Sequence, residues 1–239
     1  MYTHSRSLQV PLLAAALAVL AGCAGVTTQG SGPVVEAPAY RVGDRWVYSA
    51  VDGFRAKTTW QETREVVAVG ADGITMRVTQ QGPSTDVVRT EQWSAPGLLK
   101  VGALFNNQTR RFATSVVAYE FPLASGKTWN QWVDVYNEAT RANGQINHYV
   151  RVSGRETVTT PAGTFDAVAM HVLMQMDDEE FWREPTRCNY QVWYAPAVRG
   201  SVREIKNAQY LEKGGDMDGR ATVRVQNTVL ELVSFTPGP

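Results

Sequence analysis

Thr160-Pro161-Ala162-Gly163-Thr164, running into Phe165–Met176 (FDAVAMHVLMQM), decides the fold class. Pro161 presets φ for the second position of a turn, and Gly163 supplies the αL conformation of a bulge after it. Before the turn stands Glu156–Thr160. After it, Val168, Met170, Val172, Met174 and Met176 fall on one parity. Period-two alternation puts those five side chains on one face of a strand. Two antiparallel strands joined by a tight turn are the simplest structure with that pattern.

The same signature recurs outward in both directions. Ile74, Met76 and Val78 alternate with Thr75, Arg77 and Thr79, and Val69–Ile74 (VGADGI) supplies the hairpin turn from Val66–Val69. Ile146, Val150 and Val152 share a parity that also carries His148. Near the end Val223, Val225, Val229, Val233 and Phe235 share another, interrupted by Asn227 and Glu231. Gly and Asp-Gly punctuation separates short runs rich in Val, Thr, Tyr and Trp, which is strand composition. Helical periodicity is confined to a single turn around Asp177–Arg183, ended by Pro185. The reading is all-β: ten to twelve antiparallel strands in a meander. A sheet of that width curls, so a strongly curved sheet or an open barrel is expected.

The N-terminus reads differently. Residues 1–22 have a polar start with Arg6, an apolar run Pro11–Leu20 too short to span a bilayer, and then Leu20-Ala21-Gly22-Cys23. This resembles the lipobox of bacterial lipoprotein precursors. The resemblance implies a signal peptide over 1–22, removed after a diacylglycerol is attached to Cys23, and a protein held to the membrane by that lipid. Ala24 stands where an inner-membrane-retained lipoprotein commonly has aspartate, which implies the outer membrane with the body facing the periplasm. Residues 23–39 are small, polar and Pro/Gly-containing, a lipidated flexible tether. Residues 40–239 form a single β-rich domain.

The precursor has 239 residues with 23 Lys+Arg and 23 Asp+Glu. Residues 1–22 carry one cation and no carboxylate, leaving the mature chain at a net charge of −1. So weak a field gives no pull toward nucleic acid. Of two cysteines, Cys23 is taken by lipid, and Cys188 has no partner left in the chain; a buried thiol is the expectation.

Few residues suggest chemistry. His148 and His171 lie on separate strands, and His148, on an apolar parity, reads as a hydrogen-bonded core or rim histidine. Thr186–Tyr190 carries no nucleophile signature around Cys188, and no phosphate loop, nucleophile elbow or dinucleotide fingerprint occurs. Asp177-Asp178-Glu179-Glu180 reads as a solvated run. Asp216-Met217-Asp218-Gly219 opens like a calcium loop but has Asn227 where the bidentate Glu belongs. No catalytic, cofactor-binding or metal-binding residues are assigned, and no cofactor is expected. The seven tryptophans (Trp46, Trp60, Trp93, Trp129, Trp132, Trp182, Trp193) read as core filling for a curved sheet, with a lipid or glycan cleft as the other use of indoles.

Five further stretches occur in an order that resembles a group of uncharacterised, exported, β-rich bacterial domains. They are Tyr40–Tyr48 (YRVGDRWVY), Phe121–Trp129 (FPLASGKTW), Val158–Ala167 (VTTPAGTFDA), Trp193–Pro196 (WYAP) and Val202-Arg203-Glu204. The chain departs from that pattern after Ala195-Pro196, with Ala197 and Val198-Arg199-Gly200 where such domains carry the Gly-Val-Gly of Ala-Pro-Gly-Val-Gly. The resemblance implies an envelope β domain and transfers no catalytic residue. The functional expectation is a non-enzymatic binding scaffold for an apolar or amphiphilic ligand. The alternatives are an envelope protein–protein interaction module and, behind it, an envelope hydrolase. The expected partners are the membrane, through the lipid, and a lipid or envelope protein.

Overall fold

The structure, a computed structural model, describes residues 33–53, 57–177, 183–212 and 222–239. Among them run twelve strands: β1 (Arg45–Asp52), β2 (Thr58–Gly70), β3 (Gly73–Gly82), β4 (Thr85–Ala95), β5 (Leu98–Gly102), β6 (Arg110–Val117), β7 (Thr128–Asn137), β8 (Ala142–Thr160), β9 (Gly163–Asp177), β10 (Thr186–Ala195), β11 (Gly200–Glu212) and β12 (Thr222–Thr236). The helical content of those residues is one 3-10 turn, Pro196–Val198. Each strand pairs antiparallel with its sequence neighbours, and β1 pairs with β12 from Arg45↔Thr236 to Asp52↔Thr228. The expected meander therefore curls until its two edges meet, and it closes as a barrel. Closure removes both rows of unpaired edge amides.

One seam is thin. β6 and β7 pair only through Arg110–Phe112 and Val135–Asn137. Beyond it side chains replace the ladder. Trp129 Nε1 donates to the Val117 carbonyl at 2.7 Å, and Gln131 Nε2 donates to that of Ser115 at 3.3 Å. Gln131 Oε1 accepts from the Val117 amide.

The alternation in β3, β8 and β9 points as the sequence indicates. Ile74, Met76, Val78, Ile146, Val150, Val152, Val168, Met170, Val172, Met174 and Met176 are all buried inside. In β12 the apolar parity points the other way. Val223, Val225, Val229 and Val233 are exposed, while Leu230, Leu232 and Thr228 face the interior. Pairing with β1 fixes this register: Leu230 lies opposite Ala50 and Leu232 opposite Tyr48, both buried. Phe235 still reaches the core, against Trp46 at 5.3 Å between rings. A register shift between Val47 and Tyr48 realigns the end of the strand.

Both anticipated hairpins form, each with a two-residue loop: Ala71-Asp72 between β2 and β3, and Pro161-Ala162 between β8 and β9. Gly163 has φ +132°, beyond the αL region, a backbone that glycine alone adopts readily.

Four of the five recurrent stretches meet at this turn-bearing end of the barrel. Asp44, fully buried, accepts from the Arg41 and Gly238 amides (2.8 Å each) and from Arg199 Nη2 (2.9 Å). Trp46 Nε1 donates to the Val198 carbonyl at 2.7 Å, and the Ala162 amide to that of Leu232 at 3.0 Å. Arg203 Nη2 reaches the Thr159 carbonyl at 2.9 Å. These motifs close the base of the barrel. Phe121–Trp129 does a similar job on the side, where Leu123 exchanges backbone hydrogen bonds with Val35 at 2.8 and 2.9 Å. Val35 is itself buried, so ordered packing begins inside the segment assigned to the tether by composition. The expected signal peptide, Cys23 and the expected tether up to residue 32 lie outside the described residues.

Candidate functional site

Eight strands make a barrel whose interior side chains just fill it; twelve enclose more space than apolar side chains occupy here. Two apolar clusters form. One lies along β5–β10, around Phe112, Ile146, Met170 and Tyr194. The other sits at the base, around Trp46, Tyr48, Val66 and Leu232. Between them lie two neighbouring cavities, an inner and an outer lobe. The inner lobe, about 120 Å³, has an apolar wall of Trp93, Leu99, Met170, Val172, Met174 and Val192. The outer lobe, about 230 Å³, lies toward the opposite end and is bordered by Asp52, Trp60, Gln80, Asn107 and Thr228. Arg89, Ala103, Leu104, Tyr190 and Lys206 line both.

A charged network borders both lobes. Arg64 is its centre: Nε contacts Glu62 Oε1 at 2.7 Å, Nη1 contacts Glu204 Oε1 at 2.6 Å, and the guanidinium lies 4.6 Å from the centre of the Tyr48 ring. Gln80 Nε2 donates to Glu62 Oε2 at 2.6 Å, and Lys206 Nζ pairs with Glu204 Oε2 at 2.7 Å. Ser201 Oγ donates to Glu204 Oε1 at 2.6 Å, and Tyr48 OH to the Ser201 carbonyl at 2.9 Å. On the facing wall Arg89 Nε contacts Glu91 Oε1 at 3.1 Å, and its Nη1 reaches Asn107 Oδ1 at 3.1 Å.

Burial alone would raise the carboxyls of Glu62 and Glu204. Arg64 and Lys206, joined by Arg89 at Glu62, together outweigh it and hold Glu204 well below the usual carboxylate range and Glu62 below it. Desolvation pushes the Tyr48 phenol up to about 12. The network is therefore ionised at neutral pH, with its hydrogen-bond acceptors largely engaged.

The segment between β5 and β6, 103–109, folds over the cavity. Phe105 inserts into the larger apolar cluster, and Tyr190 OH donates to the Leu104 carbonyl at 3.2 Å. Arg110, fully buried, pins the segment by donating to the carbonyls of Phe105 (3.0 Å) and Gln108 (3.1 Å).

His148 and Cys188 face the interior, and His171 is exposed on the outer face. Both His148 and Cys188 sit opposite Met174, on either side of β9. That puts two strand spacings, about 9–10 Å, between their backbones. The three residues do not converge. Burial pulls the His148 imidazole down to about 4, so it is neutral at pH 7. Cys188 is buried, with Sγ 3.9 Å from Met176 Sδ. Asp177 is exposed; the rest of its acidic run, the Asp216–Gly219 stretch and Trp182 lie outside the described residues. No group of three or more His, Cys, Asp or Glu able to hold a metal occurs among the described residues.

The tryptophans divide. Trp46 is core, Trp60 and Trp93 line the cavity, Trp129 and Trp193 pack against the core, and Trp132 is 60 % exposed outside. Sequence reasoning missed Glu62, Arg64, Arg89, Glu91, Glu204 and Lys206. Their signal is a charge on the inward parity of a strand, as in Glu62-x-Arg64-x-Val66 and Glu204-x-Lys206-x-Ala208.

No family model matches this chain, and no curated protein matches it. Two solved structures are similar to it. One, described as a candidate lipoprotein from Parabacteroides distasonis, has a TM-score of 0.50 at 16 % identity, over 84 % of this chain and 99 % of that one. The other, a candidate exported protein with a YmcC-like fold from Bacteroides fragilis, has a TM-score of 0.49 at 13 % identity, with the same coverage. At 16 % identity the first likeness shows a shared fold alone.

Proposed function

We propose that this chain is a non-enzymatic lipoprotein of the bacterial outer membrane, facing the periplasm, whose barrel binds a small amphiphilic ligand. The observation that carries the reading is the pair of neighbouring lobes, apolar on one wall and ionic on the other. Such a site suits a molecule with one oily and one polar end. The lipobox Leu20–Cys23 supports membrane tethering, and the Parabacteroides distasonis structure, described as a candidate lipoprotein, agrees with it. Convergent ionisable groups would also suit an envelope hydrolase. Here, though, each cavity glutamate is engaged by a cation, and His148 and Cys188 stand on opposite sides of β9.

Native mass spectrometry of the protein extracted from membranes tests this reading. A bound adduct of small-molecule mass, lost on unfolding, is expected; a mass equal to the lipidated chain alone in every preparation overturns it. Metabolic labelling with a palmitate analogue tests the anchor: label should reach the wild type and not Cys23→Ser, and label retained on that variant refutes lipidation at Cys23.

The interaction-module reading rests on the outward valines of β12 (Val223, Val225, Val229, Val233), a stripe a partner protein could cover. Loss of a co-purifying envelope protein on Val225→Lys/Val233→Lys, with the small-molecule adduct unchanged, would favour that second use.

A further inference from the structure

A groove of about 590 Å³ crosses β9–β12 on the solvent side of the barrel, apart from the interior. Its lining is outward-facing except for Met174, Cys188 and Ala208, whose side chains point inward and leave backbone as the floor. Register explains the trough. Asn189, Asn207 and Asn227 stand opposite one another on β10, β11 and β12, in line with Leu173 of β9. One adjoining row holds the longer Gln175, Arg187 and Gln209, and the other holds His171, Gln191 and Ile205. A line of short side chains between two lines of longer ones makes a channel across the strands.

Among the described residues, the side-chain amides of Gln175, Asn189, Asn207, Gln209 and Asn227 make no hydrogen bond, and Arg187 has no ion-pair partner. Each carboxamide offers two donors and an acceptor. The groove therefore presents free donors and acceptors to solvent, with one positive charge and no carboxylate in its lining. Asp177, the carboxylate on the same face of β9, is not part of it. Such a lining matches a hydroxyl-rich molecule, because a hydroxyl both donates and accepts at one atom. The unpaired guanidinium matches a carboxylate, which it can hold through two parallel N–H···O bonds. Leu173 and Val225, 49 % and 59 % exposed, give C–H faces an apolar contact.

Spacing decides between a saccharide and a peptide. The asparagine row repeats at the distance between strands, about 4.8 Å, whereas an extended peptide returns a side chain to one face every roughly 6.6 Å. One pyranose unit of an extended glycan is close to a strand spacing in length. A cavity of roughly 150 Å³ holds one benzene ring, so the groove has room for about three sugar rings. We propose that it binds a carboxylated saccharide chain lying across β9–β12, with a carboxylate on Arg187 and hydroxyls on Asn189, Asn207 and Asn227. This site lies on the outer wall and goes beyond the cavity reading; neither depends on the other.

Isothermal titration calorimetry on the full chain in phosphatidylcholine vesicles, with empty vesicles as blank, tests it. The probes are β-linked tetramannuronate, its uncharged counterpart mannotetraose, and tetraglutamate, all at one ionic strength. Tetramannuronate should bind at least roughly tenfold tighter than either of the others. Arg187→Gln removes a charge-assisted pair and should weaken tetramannuronate roughly tenfold or more, leaving mannotetraose unchanged. Asn207→Ala removes neutral hydrogen bonds and should weaken tetramannuronate roughly 3- to 10-fold. Both side chains are exposed, so neither variant should move the urea midpoint. Should Asn207→Ala move it, Asn189→Ala gives the same comparison. Tetraglutamate binding as tightly as tetramannuronate means that charge alone is read, and mannotetraose binding as tightly means that Arg187 reads no carboxylate; either result overturns the proposal. So does an affinity unmoved by Arg187→Gln or by the asparagine variant, or no heat from tetramannuronate. The cavity reading is untouched by these results, since its own test is the native mass of the chain.

Discussion

Arg64→Met replaces the centre of the buried network by an apolar side chain of similar length. In the folded protein Arg64 contacts Glu62 at 2.7 Å and Glu204 at 2.6 Å, and those glutamate side chains are only 4 % and 5 % exposed. Removing the guanidinium leaves two carboxylates inside the barrel, Glu204 with Lys206 and Ser201, Glu62 with the neutral Gln80. Breaking a buried pair from one side costs about 3–5 kcal/mol, because the remaining charge is stranded. With a urea slope of about 2–3 kcal/mol per molar for a domain of this size, the midpoint should fall by about 1–2 M. Two controls separate charge from packing. The deficit should shrink at pH 4–5, where the stranded carboxyls take up protons. It should also shrink in Glu62→Gln/Arg64→Met/Glu204→Gln, where no charge is left uncompensated except on Lys206. Equilibrium urea titration followed by circular dichroism is the assay. A midpoint within about 0.3 M of wild type for Arg64→Met at pH 7 would refute the view that this network is desolvated and coupled.

His148 should make stability pH-dependent. Its folded pKa, about 4, lies below the ordinary 6.5, so the unfolded chain binds the extra proton first and stability falls as pH drops through that window. At about 1.4 kcal/mol per unit the loss approaches about 3 kcal/mol by pH 4; a His148→Gln urea profile that keeps the wild-type slope between pH 6.5 and 5 would contradict this. Gly163→Val should cost about 1–3 kcal/mol through backbone strain alone, since a Cβ there meets nothing within 4 Å while φ is +132°. An unchanged urea midpoint would show that the turn relaxes freely. Cys188 should resist a water-soluble thiol reagent until urea unfolds the barrel, as its thiol is buried. Peptide mapping that finds it fully labelled in the native state would show the core opening readily.

The parts of this fold that are local were legible in the chain. Pro161, Gly163 and the Gly70–Gly73 turn specify their hairpins within a few residues, and alternation in β3, β8 and β9 sorts side chains onto common faces. A residue's burial partner across one hairpin is close in sequence, so its pattern is readable. Which face points inward is not a local property. In β12 five apolar residues share a parity, yet pairing with β1, about 180 positions earlier, turns four of the five to solvent. Closure itself, where an open barrel was equally compatible with the strand count, depends on that same distant pairing.

The cavity was less legible still. Glu62 and Arg64, or Glu204 and Lys206, look in sequence like ordinary charges on a half-solvated strand. Only closure brings residues 64 and 204 to 2.6 Å, and only then are their charges removed from water and forced to neutralise one another. The positions that spell hairpins and strand faces determined that this protein is an antiparallel β meander, and the first 23 residues supplied an expected address. Long-range pairing decided everything that depends on an inside: which tryptophans and charges face a common space, and what that space can hold. Strand pattern is written by neighbours two residues apart, whereas an interior exists only when all twelve strands surround it.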